Sequence, residues 1–245
     1  MKMLGKTIVI TGGGSGIGLA LARQWVERGN TVIIVGRSLS RLEEALSVEP
    51  RLLAFPCDIR QEAEQRRLVE WLAEMGLEAD VLVNNAGVQV LSRFDRQPLP
   101  SPTAIQDELD TNFTAAVCLS MLFIPLFLQK PEAAIVNITS GLALVPKESA
   151  PIYCASKAAL SSFTRTLRYQ LEATPIKVFE AMAPLVDTAM TAGRGTGKMS
   201  TGQFAREVIQ GIEAGRVHIP VGKVKLLEAL LRISPSLARQ IMRRY

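Results

Sequence analysis

Residues 7–18 read Thr7-Ile8-Val9-Ile10-Thr11-Gly12-Gly13-Gly14-Ser15-Gly16-Ile17-Gly18. An apolar β run over Thr7–Ile10 meets a glycine-rich turn, and a helix is expected to follow over about Gly16–Gly29. A strand–turn–helix unit of this kind gathers backbone N–H groups and the positive end of a helix at one point, which suits a pyrophosphate. The spacing of Gly12, Gly16 and Gly18 is G-x-x-x-G-x-G, not the G-x-G-x-x-G of the standard dinucleotide fingerprint. No Gly-Lys-Ser/Thr follows, so a Walker P-loop is excluded. Ser15 and Ile17 lie inside the turn and count with the three glycines as cofactor-binding candidates.

Outward from this unit, strand and helix patterns alternate. Thr31–Val35 is the next strand, and Ser38 can cap a helix ending near Ser47. Leu52–Phe55 is a short third strand, and Arg60–Met75 has helical spacing. Val81–Val83 runs into Asn84-Asn85-Ala86-Gly87. A single long helix is expected over Thr103–Leu128. Ala134–Ile138 is a buried strand ending at Thr139-Ser140-Gly141, and Ala150–Ala173 is helical. Lys177–Phe179 and Arg216–Pro220 complete seven strands. Continuous apolar strands separated by helices predict an α/β fold: a doubly wound, Rossmann-like parallel sheet with helices on both faces. Ligands of such sheets bind at the carboxyl ends of the strands.

The 245 residues suffice for one large domain, and the net charge of +5 is mild. No linker divides the chain. Residues 1–221 are read as a single Rossmann-like domain, and 222–245 as its basic, amphipathic helical extension. Cys57, Cys118 and Cys154 are scattered, with no C-x-x-C pair, and His218 is the only histidine. This argues against a metal site and fits a reduced, cytoplasmic setting, as does an N-terminus that enters a strand at once. The longest apolar stretch, Ala115 to Leu128, contains Ser120 and Pro125 and is too short to span a bilayer.

Two local patterns carry chemistry. The second strand ends Val35-Gly36-Arg37-Ser38. An acidic residue here would meet a free ribose 2′-hydroxyl, whereas Arg37 suits a 2′-phosphate and favours NADP (NADPH). Tyr153 and Lys157 stand at i and i+4, on one helix face with Cβ atoms roughly 5–6 Å apart. An ammonium beside a phenol is expected to favour the phenolate and ready it for proton transfer.

With these motifs in place, the chain resembles a short-chain dehydrogenase/reductase through about residue 220. The resemblance rests on Thr11-Gly12-x-x-x-Gly16-x-Gly18, Asp58, Asn84-Asn85-Ala86-Gly87, Asn112, Ser140 and Tyr153-x-x-x-Lys157. It implies a catalytic tetrad of Asn112, Ser140, Tyr153 and Lys157, with Tyr153 and Lys157 also touching the cofactor. It further implies that Asp58, with Ile59 beside it, meets the adenine, and that Asn85, Ala86 and Gly87 border the cofactor. After the sixth strand, Ala183-Pro184-Leu185-Val186-Asp187-Thr188 departs from the family's Pro-Gly-x-Val-x-Thr. Val186 and Thr188 match and are expected around the nicotinamide carboxamide, while Pro184 removes a backbone donor. The Pro-x-Val-Asp-Thr pattern resembles a branch named for D-alanine esterification of lipoteichoic acid.

The function expected is hydride transfer between NADP(H) and a carbonyl or alcohol, with Tyr153 as general acid and base. The alternative is a noncatalytic NADP-binding sensor or scaffold on the same fold. A serine hydrolase lacks both a G-x-S-x-G elbow and a usable histidine. Gly193-Arg194-Gly195-Thr196-Gly197 reads as a mobile lid. The partners expected are a small-molecule substrate and a second copy of the chain, a homodimer by family resemblance, with no nucleic acid. The basic tail could dock on a partner subunit, pack on its own domain or lie on an anionic membrane, and packing on protein is favoured over the membrane surface.

Overall fold

In the computed structural model, which describes residues 1–243, β1 (Thr7–Thr11), β2 (Thr31–Gly36), β3 (Leu53–Pro56), β4 (Val81–Asn84), β5 (Ala133–Ser140), β6 (Ile176–Ala183) and β7 (His218–Pro220) form one parallel sheet in the order β3-β2-β1-β4-β5-β6-β7. Arg244 and Tyr245, the end of the basic extension, lie outside the described residues. The strands bury both faces. Ile8, Ile10, Val32, Ile34, Val81, Val83, Ala134 and Val136 enter one core; Val9, Ile33, Val35, Leu82, Ala133 and Ile135 enter the other. This explains why they read as unbroken apolar runs.

The first core is closed by α1 (Gly16–Glu27), α2 (Leu39–Val48) and α7 (Thr201–Glu213), through Leu21, Trp25, Leu42, Phe204 and Val208. Ser38 caps α2, accepting the Arg41 N–H at 3.5 Å. The second core is closed by α3 (Glu62–Glu74), α5 (Ala115–Phe127) and α6 (Pro151–Gln170), through Leu68, Leu119, Phe123, Phe127 and Leu167. The order reverses between β1 and β4, so the turns after these strands flank the crevice where such sheets bind ligands.

Two elements depart from the sequence expectation. The helix α7 fills a stretch to which the sequence reading assigned no element, although Phe204, Val208 and Ile212 repeat every four residues and are buried. The single helix over Thr103–Leu128 is instead α4 (Pro102–Leu109), a π-helical turn over Asp110–Thr114, and α5. Together they span 26 residues, long and apolar enough to cross a membrane by length and composition. Here Leu119, Phe123 and Phe127 pack into the second core, while Met121 and Leu126 face out.

The basic extension forms α8 (Lys223–Ile233) and α9 (Pro235–Arg243). Leu227, Ala238 and Met242 pack with Val145 in a small third cluster, beside Leu142 and Leu144. The two helices thus pack on their own domain and wall the segment after Ser140.

Candidate active site

The glycine turn is a cradle that side chains would fill. Gly12 runs at φ +65°, and a Cβ there would stand 2.9 Å from Ala86 Cα. A Cβ on Gly18 would collide with the Gly12 carbonyl and lie 2.6 Å from Asn85 Nδ2. Thr11 fastens the turn to β4: its Oγ1 accepts the N–H groups of Asn85 at 3.0 Å and Ala86 at 3.1 Å. Asn85 Nδ2 returns a bond to Thr11 O at 2.9 Å. Ser15 is the N-cap of α1 but makes no side-chain capping bond, and the first turn holds no acid. Its amides and hydroxyl therefore suit a pyrophosphate, and the cradle fits a dinucleotide. Thr188 overhangs it, with Cγ2 3.3 Å from where a Cβ of Gly16 would sit.

Just past β2, Arg37 is exposed and has no hydrogen bond or ion pair among the described residues. Asp58 follows β3 and is gripped by Arg60, with Nε on Oδ1 at 2.9 Å and Nη2 on Oδ2 at 2.6 Å. Arg60 reaches on to Asp107 of α4 at 2.6 Å and holds the Asp58 carboxyl below the usual range. The side chain of Ile59 is buried in the second core and its carbonyl accepts from Gln65, so a ligand can meet only the remaining backbone there. Val186 is likewise buried, and its carbonyl accepts from Thr191 Oγ1 at 2.6 Å.

Ser140 ends β5, where its Oγ accepts Leu142 N–H at 3.1 Å and stands near enough to the Tyr153 hydroxyl to favour its ionised form. One turn further along α6, Lys157 is 4 % exposed, donates to Ile138 O at 3.0 Å and lies 5.9 Å from the centre of the Tyr153 ring. Gly87 lies against both Asn112 and Lys157: a Cβ there would be a tight 3.2 Å from Asn112 Oδ1 and in ordinary contact, 3.5 Å, with Lys157 Nζ. Asn112 sits in the π turn, 1 % exposed. It clamps Val88 from both sides, accepting the N–H at 2.8 Å and donating to the carbonyl at 2.9 Å, and also donates to Ser156 Oγ at 3.0 Å. Its side chain is thus committed to shaping the loop. Single-turn π insertions recur at functional sites, but the sequence carried no sign of this one beyond a polar residue in an apolar helix.

The ionisation differs from the simple expectation. Burial pushes the Tyr153 phenol up to about 12, against the opposing effect of the Ser140 hydroxyl. Burial also brings the Lys157 ammonium down to about 8. The lysine charge is directed at a backbone carbonyl, and desolvation dominates the ionisation of both groups. Tyr153 therefore holds its proton throughout the neutral range, the form required of an acid.

Other residues escaped the sequence reading. Glu108, one turn before Asn112, is 1 % exposed, and its carboxyl is raised by burial while Oε1 accepts Val90 N–H at 3.2 Å. Gln89, held between these clamps, accepts from Arg194 of the lid at 2.5 Å. The base of that lid is tied by Asp187 N to Met199 O at 2.8 Å and Met199 N to Leu185 O at 2.9 Å.

A phosphate cradle at the switch point beside a Ser–Tyr–Lys cluster defines a nucleotide-dependent oxidoreductase. The family profile described as short chain dehydrogenase matches residues 6–198, and the chain belongs to that family. It is 40 % identical over 238 residues to the oxidoreductase DltE of Bacillus subtilis (strain 168), covering 95 % of this chain and 94 % of that one. It is 28 % identical over 260 residues to the ketoacyl reductase HetN of a Nostoc species, covering 98 % and 89 %. Among solved structures it resembles a Burkholderia cenocepacia short chain dehydrogenase in complex with NADP, with TM-score 0.88, 23 % identity and 99 % of each chain covered. It also resembles a Burkholderia phymatum short chain dehydrogenase/reductase in complex with NAD, with TM-score 0.84, 22 % identity and coverage of 95 % and 96 %.

Proposed function

We propose that this oxidoreductase uses NADP(H) to interconvert a carbonyl and an alcohol, with Tyr153 as general acid and base. The observation that carries the reading is the cluster of Ser140, Tyr153 and Lys157 at the carboxyl end of β5, beside the glycine cradle. Gly12, Ser15, Gly16, Ile17 and Gly18 would hold the pyrophosphate, and Arg37 the 2′-phosphate. When bound, the nicotinamide supplies or accepts the hydride. Ser140 orients the substrate oxygen through its hydroxyl, and Tyr153 donates its proton to that oxygen during reduction. Lys157 provides a buried positive charge near the phenol. The π turn around Asn112 breaks the regular helical bonding, which supports a relay water between Tyr153 and solvent.

NADP over NAD rests on Arg37, since one solved relative carries each cofactor. A homodimer is supported by the apolar face of α5, where Met121 is 66 % exposed and Leu126 41 %. The unpaired Cys57, Cys118 and Cys154 support a reducing, cytoplasmic setting.

The test is Tyr153→Phe assayed with NADPH against a panel of aldehydes and ketones. Loss of a general acid removes about 10²–10⁴ of the rate, and NADPH affinity should stay within about twofold. A variant that reduces the same carbonyl at the wild-type rate would end this reading.

A further inference from the structure

In the sheet, β5 lies between β4 and β6, so Ser140 at its end stands between the loop that follows β4 and the lid that follows β6. Neighbouring strands are about 5 Å apart, and roughly twice that separates the roots of the two loops. One side-chain bond joins them: Arg194 Nη1 of the lid donates to Gln89 Oε1 of the β4 loop at 2.5 Å. Arg194 is half-buried, whereas Ala192, Gly193, Gly195, Thr196 and Gly197 around it are exposed. The arginine therefore turns inward from a tip that otherwise faces water.

The two ends of this bond differ in stiffness. Gln89 is a fixed post. On one side of it Asn112 holds Val88 by its N–H and its carbonyl, at 2.8 and 2.9 Å, and on the other Glu108 Oε1 accepts the Val90 N–H at 3.2 Å. Further along the loop, Ser92 N–H donates to Ser149 O at 3.0 Å. Arg194 is a movable bolt. Gly193, Gly195 and Gly197 surround it at φ +70°, +59° and +64°, and glycine resists a change of backbone angle least. The other bonds of the lid are mostly its own: Thr191 Oγ1 donates to Val186 O at 2.6 Å, and Lys198 Nζ to Thr191 O at 2.6 Å. Among the described residues, one further hydrogen bond ties residues 189–197 to the rest of the domain, from Lys223 Nζ to Gly197 O at a long 3.4 Å. At the near end of the same lid, Thr188 stands over the glycine cradle, as its approach to Gly16 shows.

We propose that Gln89 and Arg194 form a latch that holds the lid shut across Ser140 and sets the rate at which the dinucleotide leaves the cradle. Both are positioning residues, with no part in proton transfer. What lies beneath the lid is taken from the oxidoreductase reading; the latch itself belongs to the protein alone. A hydrogen bond to a charged group is worth roughly ten- to a hundredfold in the balance of open and shut lid.

The test follows release and lid opening separately. NADPH is loaded on wild type, Gln89→Leu, Arg194→Leu and the double variant, and its displacement by excess NADP is followed by stopped-flow fluorescence. In the ligand-free proteins, hydrogen exchange of a peptide spanning residues 189–197 is measured by mass spectrometry, and circular dichroism checks folding. Each single substitution should speed release and exchange by roughly ten- to a hundredfold. The double variant should go no further than either single one, since all three lose the same bond. Gln89→Glu places a carboxylate opposite the guanidinium and should slow both processes. If the leucine variants do not fold, that variant decides alone: slower release and exchange support the latch, and wild-type values overturn it. Effects that multiply in the double variant overturn it too. NADPH released at the wild-type rate by every variant leaves the oxidoreductase reading standing and removes the latch. Faster exchange in the ligand-free variants, with no NADPH bound by wild type, keeps the latch and counts against the cofactor reading.

Discussion

Replacing Lys157 with Met should stabilise the fold while removing the charge beside Tyr153. Met keeps an unbranched stem of similar length, so packing changes little. Lys157 is 4 % exposed, and among the described residues its ammonium has one hydrogen-bond partner, Ile138 O at 3.0 Å. Burial lowers it from the ordinary 10.5 to about 8. At about 1.36 kcal/mol per pH unit, that interval corresponds to about 3 kcal/mol of native-state destabilisation at neutral pH. Losing the bond to Ile138 O returns about 1 kcal/mol, leaving a net gain of about 2 kcal/mol. For a chain of this size each kcal/mol moves Tm by roughly 2–4 °C, so a rise of about 4–8 °C is expected. The sign with pH is definite. Between about 8 and 10.5 the folded lysine binds fewer protons than the unfolded one, so wild-type stability rises with pH across that window. The burden is full below about 8 and absent above about 10.5. Urea unfolding of both proteins at about pH 7 and about pH 10.5, followed by circular dichroism, should show the variant's advantage shrinking as pH rises. A variant less stable than wild type at pH 7, with a gap insensitive to pH, would refute the reasoning.

Arg37→Ala should weaken NADP binding by roughly ten- to a hundredfold and leave NAD unchanged; equal wild-type affinities in fluorescence titration would remove Arg37 from that role. Gly18→Ala should lose NADPH binding and about 1–3 kcal/mol of stability, because the new Cβ would press on the Gly12 carbonyl; an unchanged dissociation constant counts against the cradle. His218→Gln should alter the pH dependence of stability. The imidazole bridges buried Glu180, at 3.5 Å, and Glu228 of α8, at 2.5 Å, and the Glu180 bond followed by the Glu228 bond raises its pKa. Arg168, packed near Glu180, and Lys225, paired with Glu207, are the cations around it. A raised pKa stabilises fully below about 6.5 and less as pH rises through the folded value, so the wild-type advantage should fade there; a constant difference across that range would discard the bridge.

The sequence by itself determined the β1–turn–α1 unit, the alternation of strand and helix, and the one-face pairing of Tyr153 with Lys157. These follow from local spacing: β-branched runs, glycine at positions of positive φ, and a four-residue helical interval. It also held the period of α7, in Phe204, Val208 and Ile212. The family motifs marked Ser140 and Asn112 as site residues, but not what each one touches. Only the tertiary structure decided the π turn at Asp110–Thr114, because a change of hydrogen-bond register leaves no mark on apolar periodicity. Tertiary structure alone set Arg194 against Gln89, 105 residues away in the chain, and Arg60 against Asp107. The protonation of the site was decided in the same way. Spacing predicts that an ammonium beside a phenol lowers it. The fold instead buries both and turns the lysine toward Ile138 O, so desolvation, a property of the packed interior and not of the residue order, prevails.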